Sequence, residues 1–367
     1  MIRRIQLNNF RNHKKLCIDN TESNQVLVLY GENGIGKTNI LEAISVFSVA
    51  NGLRHAKAED MVCRLTDHKN WYIQIETDEG EYTSGYSCEL HKKRIYKVND
   101  KNTKNLNDFR QGHYILWMTY ETDRIFMQPP AYRREFIDMF CNAVYSDHMA
   151  NIRNYEKCTK ERLQILKRYD DVIRSSDIER WIEIIETKIV NYGIKIAESR
   201  SRMASILEQC QIKNGEFPKF KSQMVGKLEM QILTQKNSEE MYKCELINRR
   251  QKDKLSGSTT LGANRSDWQV LQIEKGIEAD KCSAGEQKML LLCVFFSFIL
   301  HNLKNDTRDL IILLDDVITH LDDNHRNLLF RYIREFVTRH NNVSVWLSGT
   351  NKELFNELKD IAMFVRP

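Results

Sequence analysis

Proline and glycine are scarce in this chain, with 4 and 15 among 367 residues. That excludes collagen-like repeats and Gly/Pro-rich low-complexity sequence, and it predicts long uninterrupted helices. The 9 cysteines include no Cys-x-x-Cys pair, and the two nearest, Cys282 and Cys293, stand 11 residues apart. An odd count without paired spacing excludes a zinc knuckle and a disulfide framework. The longest apolar run, Met289 to Leu300, covers 12 residues, short of the roughly 20 that a bilayer-spanning helix needs. The start, Met1-Ile-Arg-Arg, lacks the apolar stretch of a signal peptide. Charge of one sign is missing too: 55 Lys+Arg face 50 Asp+Glu, a net of +5. A histone-like polycation is excluded, so any nucleic-acid contact must come from basic residues gathered on one surface. The expectation is a reduced, soluble, cytoplasmic protein with no membrane partner.

What is present supports a folded enzyme-sized chain. A hydrophobic fraction of 41% builds a core, and 29% charged residues are mixed in sign. At about 150 residues per domain, the length allows two to three domains, or one large domain with an insertion. Ile2–Leu7 and Gln25–Tyr30 read as strands and Ile40–Val49 as a helix. Trp71–Thr77, Tyr82–Leu90 and Arg94–Val98 read as an antiparallel meander. From about residue 131 the apolar spacing turns helical. Met149, Ile152, Tyr155, Leu163 and Leu166 form one stripe; Trp181, Ile185, Ile189, Tyr192 and Ile196 form another. Ser175-Ser176-Asp177 separates them, with Asp177 expected as an N-cap. Residues 213–257 are polar and weakly periodic. Beyond them Cys282–His301 reads as an apolar helix, Leu310–Leu314 as a buried strand, Arg326–Thr338 as a helix and Val343–Leu347 as a strand. The expected fold is α/β: a head built from residues 1–115 and 258–367, interrupted by a mainly helical arm over 116–257.

Chemistry concentrates in three motifs. Gly31-Glu32-Asn33-Gly34-Ile35-Gly36-Lys37-Thr38 matches the phosphate-binding pattern G-x-x-x-x-G-K-[ST], with a strand before it and a helix, beginning near Asn39, after it. In a chain this long a chance match is expected roughly once in a hundred cases. Such glycines let backbone N–H groups turn toward phosphate oxygens, Lys37 reaches the β- and γ-phosphates of ATP, and Thr38 ligates Mg²⁺. Leu310-Ile-Ile-Leu-Leu-Asp315-Asp316 places two acids at the C-terminal edge of a buried strand, where ligands of open α/β sheets sit. Asp315 suits the Mg²⁺ sphere and Asp316 the polarisation of attacking water. Ser283-Ala-Gly285-Glu286-Gln287 opens the apolar helix with capping-box spacing, an ordinary cap that also makes an anion site.

The order of these motifs, followed by His320-Leu321-Asp322, resembles the head of the ATP-binding-cassette ATPases. Over essentially its whole length the chain resembles the RecF family of bacterial recombination mediators. Asn9-Phe10-Arg11-Asn12 is similar to that family's opening motif, and Asn39-Ile-Leu-Glu-Ala-Ile to the helix after its nucleotide loop. Thr119-Tyr-Glu121 with Arg133-Arg134-Glu135-Phe136-Ile137-Asp138 resembles its arginine-rich segment, and Leu261-Gly-Ala-Asn-Arg265 a short motif ahead of the ATPase helix. Departures are Thr119-Tyr120 for a leading Ser-Pro, Gly262-Ala263-Asn264 for Gly-Pro-His, Ser266 for an acid, and Asp316 for the longer Glu of most cassette ATPases.

The resemblance implies that Lys37 and Asp316 are catalytic. It further implies that Ser283, Gly285, Glu286 and Gln287 cap ATP across a homodimer interface, and that His320, Leu321 and Asp322 form the loop beside it. DNA, held without sequence preference, and mediators of the RecR and RecO type are the implied partners. Arg54, Lys57, Arg133 and Arg134 are the DNA-contact candidates, together with Lys92-Lys93-Arg94 and Lys252/Lys254. Competing readings are a long-armed chromosome-maintenance ATPase, a transporter ATPase, a DNA-binding scaffold with ATP as structural ligand, and a stand-alone defence ATPase. The 246 residues between Lys37 and Ser283 are too few for the first, and the second lacks a membrane segment.

Overall fold

The computed structural model describes residues 1–48, 52–54, 56–89, 94–168, 176–212, 216–319 and 321–367. The chain forms two compact units, one from Met1–Asp123 with Asn305–Pro367 and one from Arg124–Lys304.

In the first unit, five parallel strands run in the order Ala362–Val365, Val26–Tyr30, Val343–Gly349, Asp309–Asp315, His113–Thr119. The three central strands are buried almost end to end. Their unbroken Val/Ile/Leu runs suit strands covered on both faces. A second, antiparallel sheet of six strands runs in the order His13–Asp19, Ile2–Phe10, Asn70–Thr77, Gly80–Ser87, Arg94–Val98, Lys101–Thr103. It alternates: Ile5, Leu7, Ile73 and Ile75 are fully buried while their neighbours in sequence face outward. These side chains share one core with Ile40, Leu41 and Ile44 of the helix Lys37–Ser45 and with Leu27, Leu29, Ile311 and Leu313 of the parallel sheet. Burial at about 25 cal/mol per Å² of apolar surface is the main force fixing the helix there.

The second unit contains the helices Pro130–Val144, His148–Arg168, Ser176–Gln209, Ser238–Asn248, Arg250–Ser256 and Ala284–Asn305. It also holds a three-stranded sheet in the order Ile277–Glu278, Asp267–Gln272, Phe220–Val225. The expected arm is therefore not the whole of it. Residues 258–304, assigned to the head in sequence, group here, because Asp267–Gln272 pairs antiparallel with Phe220–Val225. On the other side His113–Thr119 stays in the first unit because it pairs with Asp309–Asp315. Asp177 lies inside the first turn of its helix, which begins at Ser176, and is not its cap. Within the polar stretch 213–257, whose residues 213–215 lie outside the described residues, the strand Phe220–Val225 and the helices Ser238–Asn248 and Arg250–Ser256 form.

Among the described residues, Ala284–Asn305 is long and apolar enough to cross a membrane, yet 72% of its most apolar window is buried inside the protein. Phe298 stacks on Phe140 at 4.4 Å between centroids, as expected of a core helix. All nine cysteines are free thiols.

One buried ion network ties the helices of the second unit. Arg162, 0% exposed, donates to Glu186 Oε1 at 2.9 Å, to Asp253 Oδ2 at 2.7 Å and to the Leu246 carbonyl at 2.7 Å. Glu186 also receives Arg250, and both acids are fully buried. Removing one partner of such a set strands a charge out of water. Arg162→Ala is expected to cost about 3–5 kcal/mol of stability, measured as a lowered midpoint of urea unfolding.

Candidate nucleotide site

The strand Val26–Tyr30 runs into the loop and the helix Lys37–Ser45 leaves it. Gly31, Gly34 and Gly36 take φ of 141°, 88° and 110°, conformations costly for any residue with a Cβ. At Gly36 the space is closed as well, since a Cβ would lie 2.4 Å from His13 Nε2. Gly36 caps the helix without a side chain, so the first-turn N–H groups remain available to an anion. Lys37 is 5% exposed and donates to the carbonyls of Gly31 at 2.7 Å and Glu32 at 2.9 Å, which holds its ammonium over the loop. Glu32, Asn33 and Gly34 are exposed at the loop's crest, and Ile35 packs beneath, 3.4 Å from the Cβ position of Gly31.

Two acids stand at the end of Asp309–Asp315. Thr38 Oγ1 donates to Asp315 Oδ1 at 2.9 Å, and Ser348 Oγ donates to the same oxygen at 2.7 Å. Burial pushes the Asp315 carboxyl up from its ordinary value; the two hydroxyls oppose that, and Asp316 adds to it. Asp316 sits in the left-handed region at φ 53°, its N–H bonded to Ser348 Oγ at 2.9 Å. Its Oδ1 is buried without a hydrogen-bond partner, a costly arrangement that a ligand or water at this position would relieve. Thr38 and Asp315 offer the hard oxygen donors that a divalent cation such as Mg²⁺ prefers, so this pair fits that ion.

The opening hairpin closes over the loop. Asn12 Nδ2 donates to the Gly34 carbonyl at 3.2 Å and His13 Nε2 lies 3.2 Å from the Gly36 carbonyl. Asn39 donates to Asn12 Oδ1 at 2.6 Å and receives Arg54 at 2.8 Å. Beneath them Glu42, 0% exposed, takes a two-armed contact from Arg11 and a second from Arg54 at 3.3 Å. Arg54, expected as a DNA-contact candidate, is bonded into the nucleotide-loop network while its side chain stays exposed. Sequence reasoning missed Ser348 and His13 and gave Asn12 no role. The available signals were a hydroxyl following the apolar strand Val343–Leu347 and a polar pair at the hairpin tip.

The remaining candidates are placed as follows. His320 lies outside the described residues, as do Lys92 and Lys93. Leu321 is 8% exposed, and Asp322 caps the helix Asp323–Arg339, accepting from the His325 N–H at 2.9 Å. In the second unit Ser283 donates from both its N–H and its hydroxyl to Glu286 Oε2, each at 2.9 Å, so of the expected capping box the Glu-to-N–H half forms while the hydroxyl turns to the carboxylate. With Lys275 also paired to Glu286, that carboxyl falls to about 2. Gln287 donates to the Cys282 carbonyl at 2.9 Å, while Ser283 and Gly285 are exposed, with nothing within 4 Å of the Gly285 Cβ position.

Arg133 is held two-armed by Asp267 and by the carbonyls of Phe126 and Gln128, and Arg134 donates to the Ser266 carbonyl. Burial lowers the Arg134 pKa. Both guanidiniums are therefore engaged inside the unit, which argues against the phosphate contacts expected of them. Lys57 is exposed. Asp138, Cys141 and His148 approach as metal ligands would, but Arg200 grips both oxygens of Asp138 at 2.7 Å and Ser199 occupies the other His148 nitrogen. That cluster is a structural ion pair.

Phosphate loop and acids lie at the same edge of one parallel sheet with a single strand between them, and this makes the protein a P-loop ATPase of the ABC type. A family model described as AAA ATPase domain matches residues 1–345. The DNA replication and repair protein RecF of Rickettsia canadensis (strain McKiel) is 33% identical over 98% of this chain and 97% of its own length. The chain belongs to the RecF family. Two solved structures share the fold: the recombination mediator protein RecF-ATPrS in the RecFOR pathway, and RecF-ATP in the same pathway. The first has a TM-score of 0.80 and 21% identity over 100% of this chain and 96% of that one. The second has 0.78 and 22%, over 96% and 92%.

Gly36→Ala tests the loop. Left-handed strain of roughly 1–2 kcal/mol adds to the clash with His13, so ATP affinity is expected to fall at least about tenfold. A fluorescent-nucleotide titration reads this, with circular dichroism confirming an intact fold.

Proposed function

We propose that this chain is an ATP-dependent DNA-binding protein of replication and recombinational repair, in which ATP joins two copies into a clamp on DNA. The observation that carries this reading is the exposed helix start at Ser283–Gly285, on a different unit from the phosphate loop, where the Glu286 carboxylate already draws both Ser283 donors as a phosphate would. In the proposed dimer, Ser283 and Gly285 cap the γ-phosphate held by the partner's loop, with Leu321 and Asp322 beside the junction. Nucleotide then acts as the ligand of a monomer–dimer equilibrium.

Within each site Gly31–Gly36 and the first helical turn hold the phosphates, and Lys37 turns its ammonium to the β- and γ-oxygens. Thr38 and Asp315 would hold Mg²⁺, which would supply charge neutralisation at those oxygens. Asp316 orients and polarises the attacking water. Its short side chain supports slow turnover, suited to timing release more than to rapid cycling. Membership of the RecF family supports DNA-dependent turnover and cooperation with RecR- and RecO-type partners in recombinase loading. Exposed lysines such as Lys57 would contact phosphates without sequence preference.

Ser283→Arg is expected to abolish ATP-induced dimerisation in sedimentation velocity and to leave ATP affinity within about threefold of the parent. Loss of both together would refute a role across the interface. DNA affinity should require ATP and fall steeply with salt, about tenfold or more between 50 and 200 mM. Tight DNA binding without ATP would favour the scaffold reading.

A further inference from the structure

The end of the strand Val343–Gly349 reaches both halves of the nucleotide site. Its register sets Gly349 opposite Tyr30 on one side and Leu347 opposite Leu314 on the other. Gly31 N–H donates to the Gly349 carbonyl at 3.3 Å, fastening the first residue of the phosphate loop to this strand end. The strand end is fixed from behind, because the Phe355 ring lies 2.6 Å from where a Gly349 Cβ would be.

Ser348, 1% exposed, occupies the gap between loop and acids. Its hydroxyl has one proton to give and lone pairs to receive. The proton goes to Asp315 Oδ1 at 2.7 Å, and the Asp316 N–H comes in at 2.9 Å. Both hydrogen bonds on the Asp315 side chain, from Ser348 and from Thr38, converge on Oδ1. Neither hydroxyl bonds Oδ2, the oxygen that a cation held by this carboxylate would meet. The bond to the Asp316 amide supports a residue whose left-handed backbone, at φ 53°, is otherwise disfavoured.

We propose that Ser348 is a positioning residue for ATP hydrolysis, setting the orientation of Asp315 and the backbone turn that aims Asp316 with one hydroxyl. The inference rests on the reading of Asp315 as cation ligand and Asp316 as the acid that orients water. Ser348 acts through these two groups. Without its hydroxyl, Asp315 keeps only Thr38, whose own oxygen is wanted by the cation, and the Asp316 amide loses its acceptor.

The test uses the full chain with Ser348→Ala, Ser348→Thr and Asp316→Asn. ATP turnover is measured against ATP and against free Mg²⁺, and binding of a fluorescent ATP analogue is titrated in Mg²⁺ and in EDTA. Hydrogen bonds to charged groups make Ser348→Ala lower kcat by about 10- to 100-fold, with KM for ATP held within about threefold. The Mg²⁺ concentration for half-maximal nucleotide binding rises about tenfold, while binding in EDTA stays at the parent level. Ser348→Thr, which keeps the hydroxyl, recovers most of the rate and of the Mg²⁺ response. Parental kcat and Mg²⁺ response in Ser348→Ala, with Asp316→Asn inactive, would overturn the role of Ser348 alone. Equal losses in Ala and Thr variants, with a lowered Tm, would reduce it to packing. Full turnover in Asp316→Asn would remove the reading of the acids and this inference with it.

Discussion

The hydrogen bond from Thr38 to Asp315 joins residues 277 positions apart, and the site depends on it. It forms because parallel pairing brings the strand ends into line: Tyr30 beside Gly349, Leu314 beside Leu347, Asp315 beside Thr119. A chain that builds its sheet from both termini can meet this constraint only when its last hundred residues have found the first. Long-range parallel pairing is slow to form, since the loop-closure entropy comes before the contacts that reward it. The compensation lies in the strands themselves, whose buried runs hold the core together with the helix that carries Thr38.

Charge is buried in both units, to different ends. In the second unit Arg162 and Arg250 face Glu186, Asp253 and Glu179, and the set fixes how helices cross. In the first, Glu42 is sealed under the nucleotide loop and gripped by Arg11 from the opening hairpin and by Arg54 from the segment after the helix. Hairpin, helix and Arg54 are therefore joined through one buried carboxylate. Asn12 and Asn39 extend the same linkage to the loop carbonyls. A chain of hydrogen bonds thus runs from the loop carbonyl of Gly34 through Asn12 and Asn39 to Arg54.

Strands that carry their own hydrophobic signature were legible in the sequence. Val26–Tyr30, Asp309–Asp315 and Val343–Gly349 lie within two residues of expectation at each end, and Asn70–Thr77 follows the alternation expected of the meander, whose Leu90 lies outside the described residues. Less legible was anything whose partner is remote and whose pattern is short. Phe220–Val225 alternates Phe, Ser and Met inward with Lys and Gln outward, six residues that read as polar until Asp267–Gln272 supplies the other half. The motifs located the loop and both acids, because phosphate chemistry demands particular residues at fixed spacing. They could not reveal Ser348 or His13, whose place depends on a strand end and a hairpin tip meeting the loop in space. Arginines were legible least of all: Arg133 and Arg134 look like a basic patch in sequence and are engaged internally in the fold.

The shorter acid at position 316 makes physical sense in this setting. Most side chains resist the left-handed region, whereas Asp and Asn enter it several-fold more readily. With φ at 53°, the backbone of Asp316 favours the residue found there over the Glu of related cassettes. The turn brings its N–H to Ser348 and leaves Oδ1 buried at the sheet edge. A missing methylene is then matched by a backbone that curls toward the site. Reach and conformation are coupled at this position, so lengthening the side chain without relaxing the turn would also shift where its carboxylate lies.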